Sequence, residues 1–259
     1  MKMGKSIRPY VLAETNWKSV KETIFTVAVL PWGATEAHNY HLPYATDNYQ
    51  AEYVTIAAAE KAWNNKVKVI VLPTIPFGVN TGQMDISLCM NMNPSTQYAV
   101  LKDVVEVLNA HDIHKLVIVN SHGGNNFKQM IRELSLEFPK VFVCSINWWQ
   151  AANATAYFDE PGDHAGELET SAMQHIAPHL VLPLGQAGSG SAKQFKIKGL
   201  KDGWVSAQRQ WTHVTEDTGV GNPKKATQAK GTAFLDVVVH NIAEFFQELH
   251  HADLYNMYE

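Results

Sequence analysis

Apolar residues recur along this chain in two kinds of pattern. Four short, continuous runs, "IFTVAVLP" (24–31), "VKVIVLP" (67–73), "KLVIVN" (115–120) and "KVFVCSI" (140–146), are rich in β-branched residues. Runs of that length and make-up predict strands buried on both faces, the first of them stopped by Pro31. Between and after them the spacing is helical. "DNYQAEYVTIAAAEKAW" (47–63) is Ala-rich, with Asp47 in the N-cap role. "STQYAVLKDVVEVLNAHD" (95–112) places apolar residues at 100, 101, 104, 105, 107 and 108. "NFKQMIRELSLEF" (126–138) and "GELETSAMQHIA" (166–177) read as helices, the latter with an acidic first turn that suits the helix dipole. Residues 185–230 carry Gly, Ser and Lys without a clear period, and 231–251 form a strongly amphipathic helix.

Strands alternating with helices predict an α/β fold: a doubly wound, mostly parallel sheet flanked by helices on both faces. With no internal repeat and no linker, residues 1–259 read as a single domain. Ligands in such sheets bind beyond the carboxyl ends of the strands. The stretches that follow the four predicted strands are therefore the place to look for chemistry.

Composition narrows the choice of partner. The 259 residues hold 46% hydrophobic and 18% charged side chains, enough for an ordinary core. A net charge of −4, with no basic block, gives nucleic acid or a membrane surface no electrostatic support. Cys89 and Cys144 sit among apolar neighbours and read as buried free thiols, a usage that suits a reducing compartment. The N-terminal stretch "MKMGKSIRPYVLAETNW" lacks the apolar core of a leader, so the expected location is cytoplasmic.

The loop after the first strand, "GATEAHNYHLPYATD" (33–47), gathers Glu36, His38, His41 and Asp47. Glu36 and His38 lie two apart, so in extended backbone they point to one side. A carboxylate and an imidazole so placed, with a second carboxylate at Asp47, make half a shell for a borderline divalent ion. After the third strand, "NSHGGNN" presents His122 beside small residues; after the fourth, "GDHAGELETS" offers Asp163, His164, Glu167 and Glu169. The second loop, "TIPFGVNTGQMD", shows no ligand cluster. Taken singly, Glu36 reads as a surface or capping residue and His122 as a hydrogen-bonding turn residue; their joint placement at one sheet edge brings metal binding level with those readings. Five mixed N and O ligands exceed one tetrahedral zinc and suit two ions about 3.5–4 Å apart, with Asp47 as the bridge. His41 reads as a loop stabiliser, His111 and His114 as structural, and His250 and His251 as solvated. The pair Asp163–His164 has no evident structural task and is a catalytic candidate. Nucleotide binding is rejected, because "PWGATEAH" has a single glycine and an acid where phosphate would need a Gly-rich loop.

These segments resemble the creatininase family. "GATEAHNYHLPYATD" is similar to that family's Gly-Ser/Ala-x-Glu-Gln-His-Gly-x-His-Leu-Pro…Thr-Asp signature. "NSHGGN" (120–125), "DHAGELETS" (163–171) and "TGVGNPKKATQAKG" (218–231) resemble its later motifs, in family order. The resemblance implies a metal-dependent amidohydrolase that cleaves a C–N amide bond, of cyclic amide or formamide type, in a small-molecule substrate. It also implies two divalent ions per chain (zinc, or alternatively manganese or iron) and a homo-oligomer, a hexamer in the family. Carried over, it gives Glu36, His38, Asp47, His122 and Glu169 as metal ligands and His164 as proton donor. Gly123 and Gly124 are expected to face the substrate as oxyanion donors, and Asp163 or Glu167 to orient His164. Ala37, Asn39 and Tyr40 depart from the signature at the site mouth, and Gly124 stands where creatininase proper has Glu. These departures argue against creatinine itself. A deformylase, a peptide-trimming hydrolase and a non-catalytic metal-binding subunit are the competing readings.

Overall fold

The computed structural model describes residues 7–259; the first six residues of the N-terminal stretch discussed above lie outside the described residues. A short helix, α1 (Trp17–Lys21), starts where the Asn16 side chain accepts from the Ser19 N–H. It leads into β1 (Val27–Trp32), all six residues of which are buried. After α2 (Thr46–Asn64) come β2 (Val69–Val71), α3 (Pro94–Ala110), β3 (Lys115–Asn120), α4 (Lys128–Glu137) and β4 (Phe142–Asn147). The four strands form one parallel sheet in the order β2-β1-β3-β4, with Val29 opposite both Val71 and Val117, and Val117 opposite Cys144.

Alternation along these strands divides the core in two. Val27, Val29, Val69, Val71, Val117 and Val119 pack on one face with Val54 and Ala58 of α2 and with Phe234, Val238 and Ile242 of the long C-terminal helix. Ala28, Leu30, Trp32, Ile70, Leu116 and Ile118 pack on the other with Leu101 and Val105 of α3 and Met130 and Leu134 of α4. Helices on both faces of a parallel sheet are the doubly wound arrangement. Among the described residues, no helix is long and apolar enough to cross a membrane.

Besides short 3-10 turns, the later part of the chain forms β5 (Gly162–His164), α5 (Glu167–Ile176), two single-turn helices, α6 (Lys198–Lys201) and α7 (Trp211–Val214), then β6 (Val220–Gly221) and α8 (Gln228–His251). β5 and β6 pair antiparallel, so the aperiodic 185–230 region is tied to the loop that carries His164.

Several expectations are adjusted. The first strand begins at Val27, because Ile24 is exposed, and it passes through Pro31. The Pro31 carbonyl accepts from Ile75, so its missing N–H faces the segment past the end of β2. Asp47 lies inside the first turn of α2, where its charge favours the positive end of the helix; Ala45 is the cap residue. Cys89 and Cys144 are half-buried. His250 is half-buried rather than solvated, its Nδ1 lying 2.6 Å from Thr26 Oγ1.

The sheet order reverses direction between β1 and β3. A crevice opens at the carboxyl ends of strands on either side of such a switch point. The loops 33–47 and 121–125 leave the sheet there.

Candidate metal centre

Glu36, His38 and Asp47 come from the loop after β1 and the first turn of α2, and His122 from the turn after β3. His164 ends β5, and Glu169 lies in the first turn of α5. Six side chains from four segments thus meet. Glu36, His38, Asp47, His122 and His164 are buried, and Glu169 is half-buried. Ligand atoms fall into three groups whose members lie within 4.8 Å of one another: Glu36–His38–His164, Glu36–Asp47–His122 and His38–Asp47–Glu169. Asp47 belongs to two of them through different oxygens: Oδ1 lies 3.1 Å from His38 Nε2 and Oδ2 3.1 Å from His122 Nδ1.

Each imidazole is turned the same way. His38 Nδ1 lies 3.1 Å from the Glu36 carbonyl oxygen, His122 Nε2 3.1 Å from that of Val79, and His164 Nε2 2.9 Å from that of Ala37. A carbonyl only accepts, so each of these nitrogens is the donor. In each neutral ring, the other nitrogen then aims its lone pair at carboxylates: His122 Nδ1 at Glu36 Oε1 (2.8 Å), His38 Nε2 at Asp47, and His164 Nδ1 at Glu36 Oε1 (3.8 Å). Lone pair facing anion is stable only with a positive charge between them. Backbone carbonyls that fix the tautomer of metal-binding histidines are the usual outer support of such centres. Asp47 Oδ2 is buried with no hydrogen-bond donor of its own, as a ligand oxygen would be. The residues therefore fit a divalent cation.

Without a cation, protons do the holding. Burial disfavours the charged His38 ring, but the Asp47 carboxylate beside it, aided by Glu36, outweighs this and holds its pKa at about 10. His122 is likewise raised well above the ordinary imidazole range, burial being overcome by Glu36 and Asp47. Burial opposes the charged form of Glu36, yet the positive charges of His122 and His164 hold its carboxyl well below the usual carboxylate range. Glu169 is pushed up to about 7, chiefly by burial. His164 is drawn below the ordinary value by burial and by the charge of His38.

Local backbone explains several of the small residues. A Cβ on Gly124 would stand 2.3 Å from the Val79 carbonyl oxygen and 2.4 Å from His122 Nε2, so the His122 ring needs glycine there. Asn39 stands at φ 54, a left-handed conformation that Asn adopts more readily than most residues. Its side chain accepts from the N–H groups of Tyr40 and Gly188.

A cavity of about 270 Å³ opens beside His164 and Glu169, lined also by Gly123, Trp148, Trp149, Asp163, Glu167 and Arg209. The expected positioning of His164 by Asp163 or Glu167 needs correction. Glu167 accepts from the N–H groups of Asp159 and Glu160 and pairs with Lys230; Asp163 pairs with Arg209. The Ala37 carbonyl anchors His164 instead. His41 Nε2 lies 2.8 Å from Thr170 Oγ1, the stabilising role expected of it.

Sequence reasoning passed over Gln83, whose side-chain amide donates to Glu36 Oε2. It also passed over Trp211, edge-on to His164 with ring centroids 4.8 Å apart, and Arg209. A lone Gln in an aperiodic loop gives no signal in one sequence.

The fold and this cluster define an α/β protein with a candidate metal centre at the switch point of its parallel sheet. The family model for creatininase, described as creatinine amidohydrolase, matches residues 13–246, and the chain belongs to the creatininase family. A crystal structure of a Bacteroides fragilis protein, provisionally assigned as a creatinine amidohydrolase, is 41% identical. The match covers 96% of this chain and 99% of that one, with a TM-score of 0.91. The mycofactocin precursor peptide peptidase of Mycobacterium ulcerans is 27% identical over 211 residues, 78% of this chain and 77% of that protein. A crystal structure of creatinine amidohydrolase (creatininase), 20% identical over 94% of this chain and 99% of its own, shares the fold with a TM-score of 0.77. Creatininase at that level of identity has also been solved in Zn–Zn and manganese forms.

Proposed function

We propose that this chain is a dinuclear metal-dependent amidohydrolase that cleaves a C–N amide bond. The observation that carries the reading is the common orientation of His38 and His122. Each ring is fixed through one nitrogen by a backbone carbonyl and turned through the other onto the carboxylates of Glu36 and Asp47. Glu36, His38, Asp47, His122 and Glu169 would hold two divalent ions, with Asp47 shared between them. A bound ion of this kind lowers the pKa of water from 15.7 to about 7 and polarises a carbonyl.

The chain's own residues supply the rest. His164 Nδ1 is the nitrogen that no backbone carbonyl engages, and the residue lines the cavity in which a substrate amide would sit. An amine departs only as a neutral species, so His164 Nδ1, unprotonated in the neutral ring, would take up the proton that the attacking water gives up and pass it to the leaving nitrogen; a positioned group of this sort contributes about 10²–10⁴-fold in rate. Trp148, Trp149 and Leu168 give the cavity an apolar wall beside its charged residues. Gly123, a lining residue with open space where a Cβ would be, lets substrate approach the backbone.

The test is elemental analysis of the purified chain, coupled to an activity screen over cyclic amides, formamides and short peptides. Two equivalents of metal and turnover that stops on chelation are expected. A chain that holds no metal after reconstitution, or hydrolyses none of these classes, overturns the reading. Peptide trimming is the second reading, favoured by the relative named as a peptidase. The peptide arm of the screen decides it.

A further inference from the structure

We propose that Arg209 sets the specificity of this site and that the substrate bears a carboxylate, which takes the place of Asp163 on its guanidinium. The chemistry acted upon rests on the amidohydrolase reading; the recognition rests on other residues.

Two cavities meet at this point. Outside the 270 Å³ reaction cavity lies an open concavity of about 910 Å³, walled mainly by residues 192–214. Asp163 and Arg209 are the residues that line both, and they are paired with each other, Arg209 Nη1 donating to Asp163 Oδ2 at 2.9 Å. The outer concavity is basic: Lys193, Lys196, Lys201, Arg209 and His213 line it against the single carboxylate of Asp163. On a chain of net charge −4 this local excess runs against the whole and draws anions into the outer concavity, whereas the reaction cavity carries Glu160, Glu167 and Glu169, which leaves Arg209 as the cation at the boundary.

Arg209 is held for the task. Its guanidinium stacks on Trp211 at 4.8 Å from the ring centroid, and Trp211 in turn stands edge-on to His164. The guanidinium thereby lies on the wall that leads to the proton-exchanging imidazole. It already binds a carboxylate, the planar group its fork matches. The Arg209 and Asp163 side chains are 37% and 57% exposed, so the existing pair is weak and exchangeable. A carboxylate brought in by substrate would make the same contact while its amide reaches His164. The C-terminus of a peptide and the carboxylate of a small N-acyl amino acid present the same group.

The test measures binding calorimetrically, in metal-loaded His164→Gln protein so that turnover does not intervene. The probes are acetylglycylglycine, its C-terminal amide, N-formylglycine and inorganic phosphate. Acetylglycylglycine is expected to bind at least tenfold tighter than its amide. Adding Arg209→Gln should weaken the carboxylate probe about ten- to a hundredfold and leave the amide unchanged. Adding Asp163→Asn, which frees the guanidinium, should tighten it severalfold, and Arg209→Lys should fall between Arg and Gln. Equal affinity for acid and amide overturns the proposal. So does an unaltered acid affinity in Arg209→Gln, or an equal loss for both probes. Phosphate that binds tighter than either carboxylate overturns it as well. Preference for acetylglycylglycine over N-formylglycine supports it with a peptide terminus as the source, and the reverse supports it with a small acyl amino acid. Absence of amide hydrolysis by the wild-type chain would sink the amidohydrolase reading and leave this binding result standing.

Discussion

His164 Nε2 lies 2.9 Å from the carbonyl oxygen of Ala37, the residue between Glu36 and His38. The segment that carries two proposed ligands thus also aims the proposed acid, and it leaves Nδ1 on the side of Glu36 Oε1, 3.8 Å away. For His164→Gln we expect metal content to stay at the wild-type level while kcat falls about 10²–10⁴-fold. Elemental analysis and initial rates on one preparation check this. Turnover at the wild-type rate would remove His164 from the chemistry.

Asp47 offers one oxygen to the side of His38 and the other to that of His122. Loss of a shared ligand should empty both positions, whereas loss of Glu169, which belongs to one ligand group, should empty one. Asp47→Ala is therefore expected to retain almost no metal after dialysis, and Glu169→Gln about half the wild-type content. Equal retention in the two variants would deny Asp47 its bridging place.

Much of this architecture was legible in the chain because burial on both faces leaves a plain trace. β1 and β3 are continuous apolar runs since α2, α5 and α8 cover one side and α3 and α4 the other. The loops at the ends of those strands held Glu36, His38, Asp47 and His122, so topology alone drew four candidates to one edge. The rest depends on contacts between segments with no period. Gln83 reaches Glu36 because the loop after β2 folds back along the loop after β1, with Thr35 bridged to Met90. Arg209 reaches the cavity because short bridges, Ala192 to Thr215 and β5 to β6, hold a stretch that has little regular structure of its own. The roles expected of Asp163 and Glu167 failed on similar grounds. Nothing in the order of residues shows that Lys230 and Arg209 come from far along the chain to engage them.

Gln83 donates to Glu36 Oε2, and its own carbonyl oxygen accepts from Cys89 Sγ at 3.3 Å. The amide thereby fixes one oxygen of a buried carboxylate and leaves the other toward His122. Outer partners of this kind are worth about 10–100-fold in metal affinity. Gln83→Ala should weaken metal binding by that factor in a competition titration with a chromophoric chelator, and Gln83→Glu should weaken it further by placing like charges together. Unaltered affinity in Gln83→Ala would show that Glu36 is positioned without it.

His41 contributes to the pH dependence of stability. Its ring is buried, with Nε2 beside Thr170 and Nδ1 lacking a hydrogen-bond partner. Burial, reinforced by the charge of His38, lowers its pKa to about 4. An unfolded chain takes up this proton near pH 6.5, whereas the folded chain resists until about pH 4. The unfolded state therefore binds more protons in that window, and the linkage sign makes folding less favourable as pH falls through it. Above about pH 6.5 both states are neutral at this ring and the contribution is flat. Urea denaturation of the chelator-treated wild type and His41→Gln at pH 7, 5.5 and 4.5 isolates the effect, since the carboxylates titrate alike in both. The wild type is expected to lose more stability on acidification than the variant. Parallel losses would mean that the His41 ring accepts its proton without penalty.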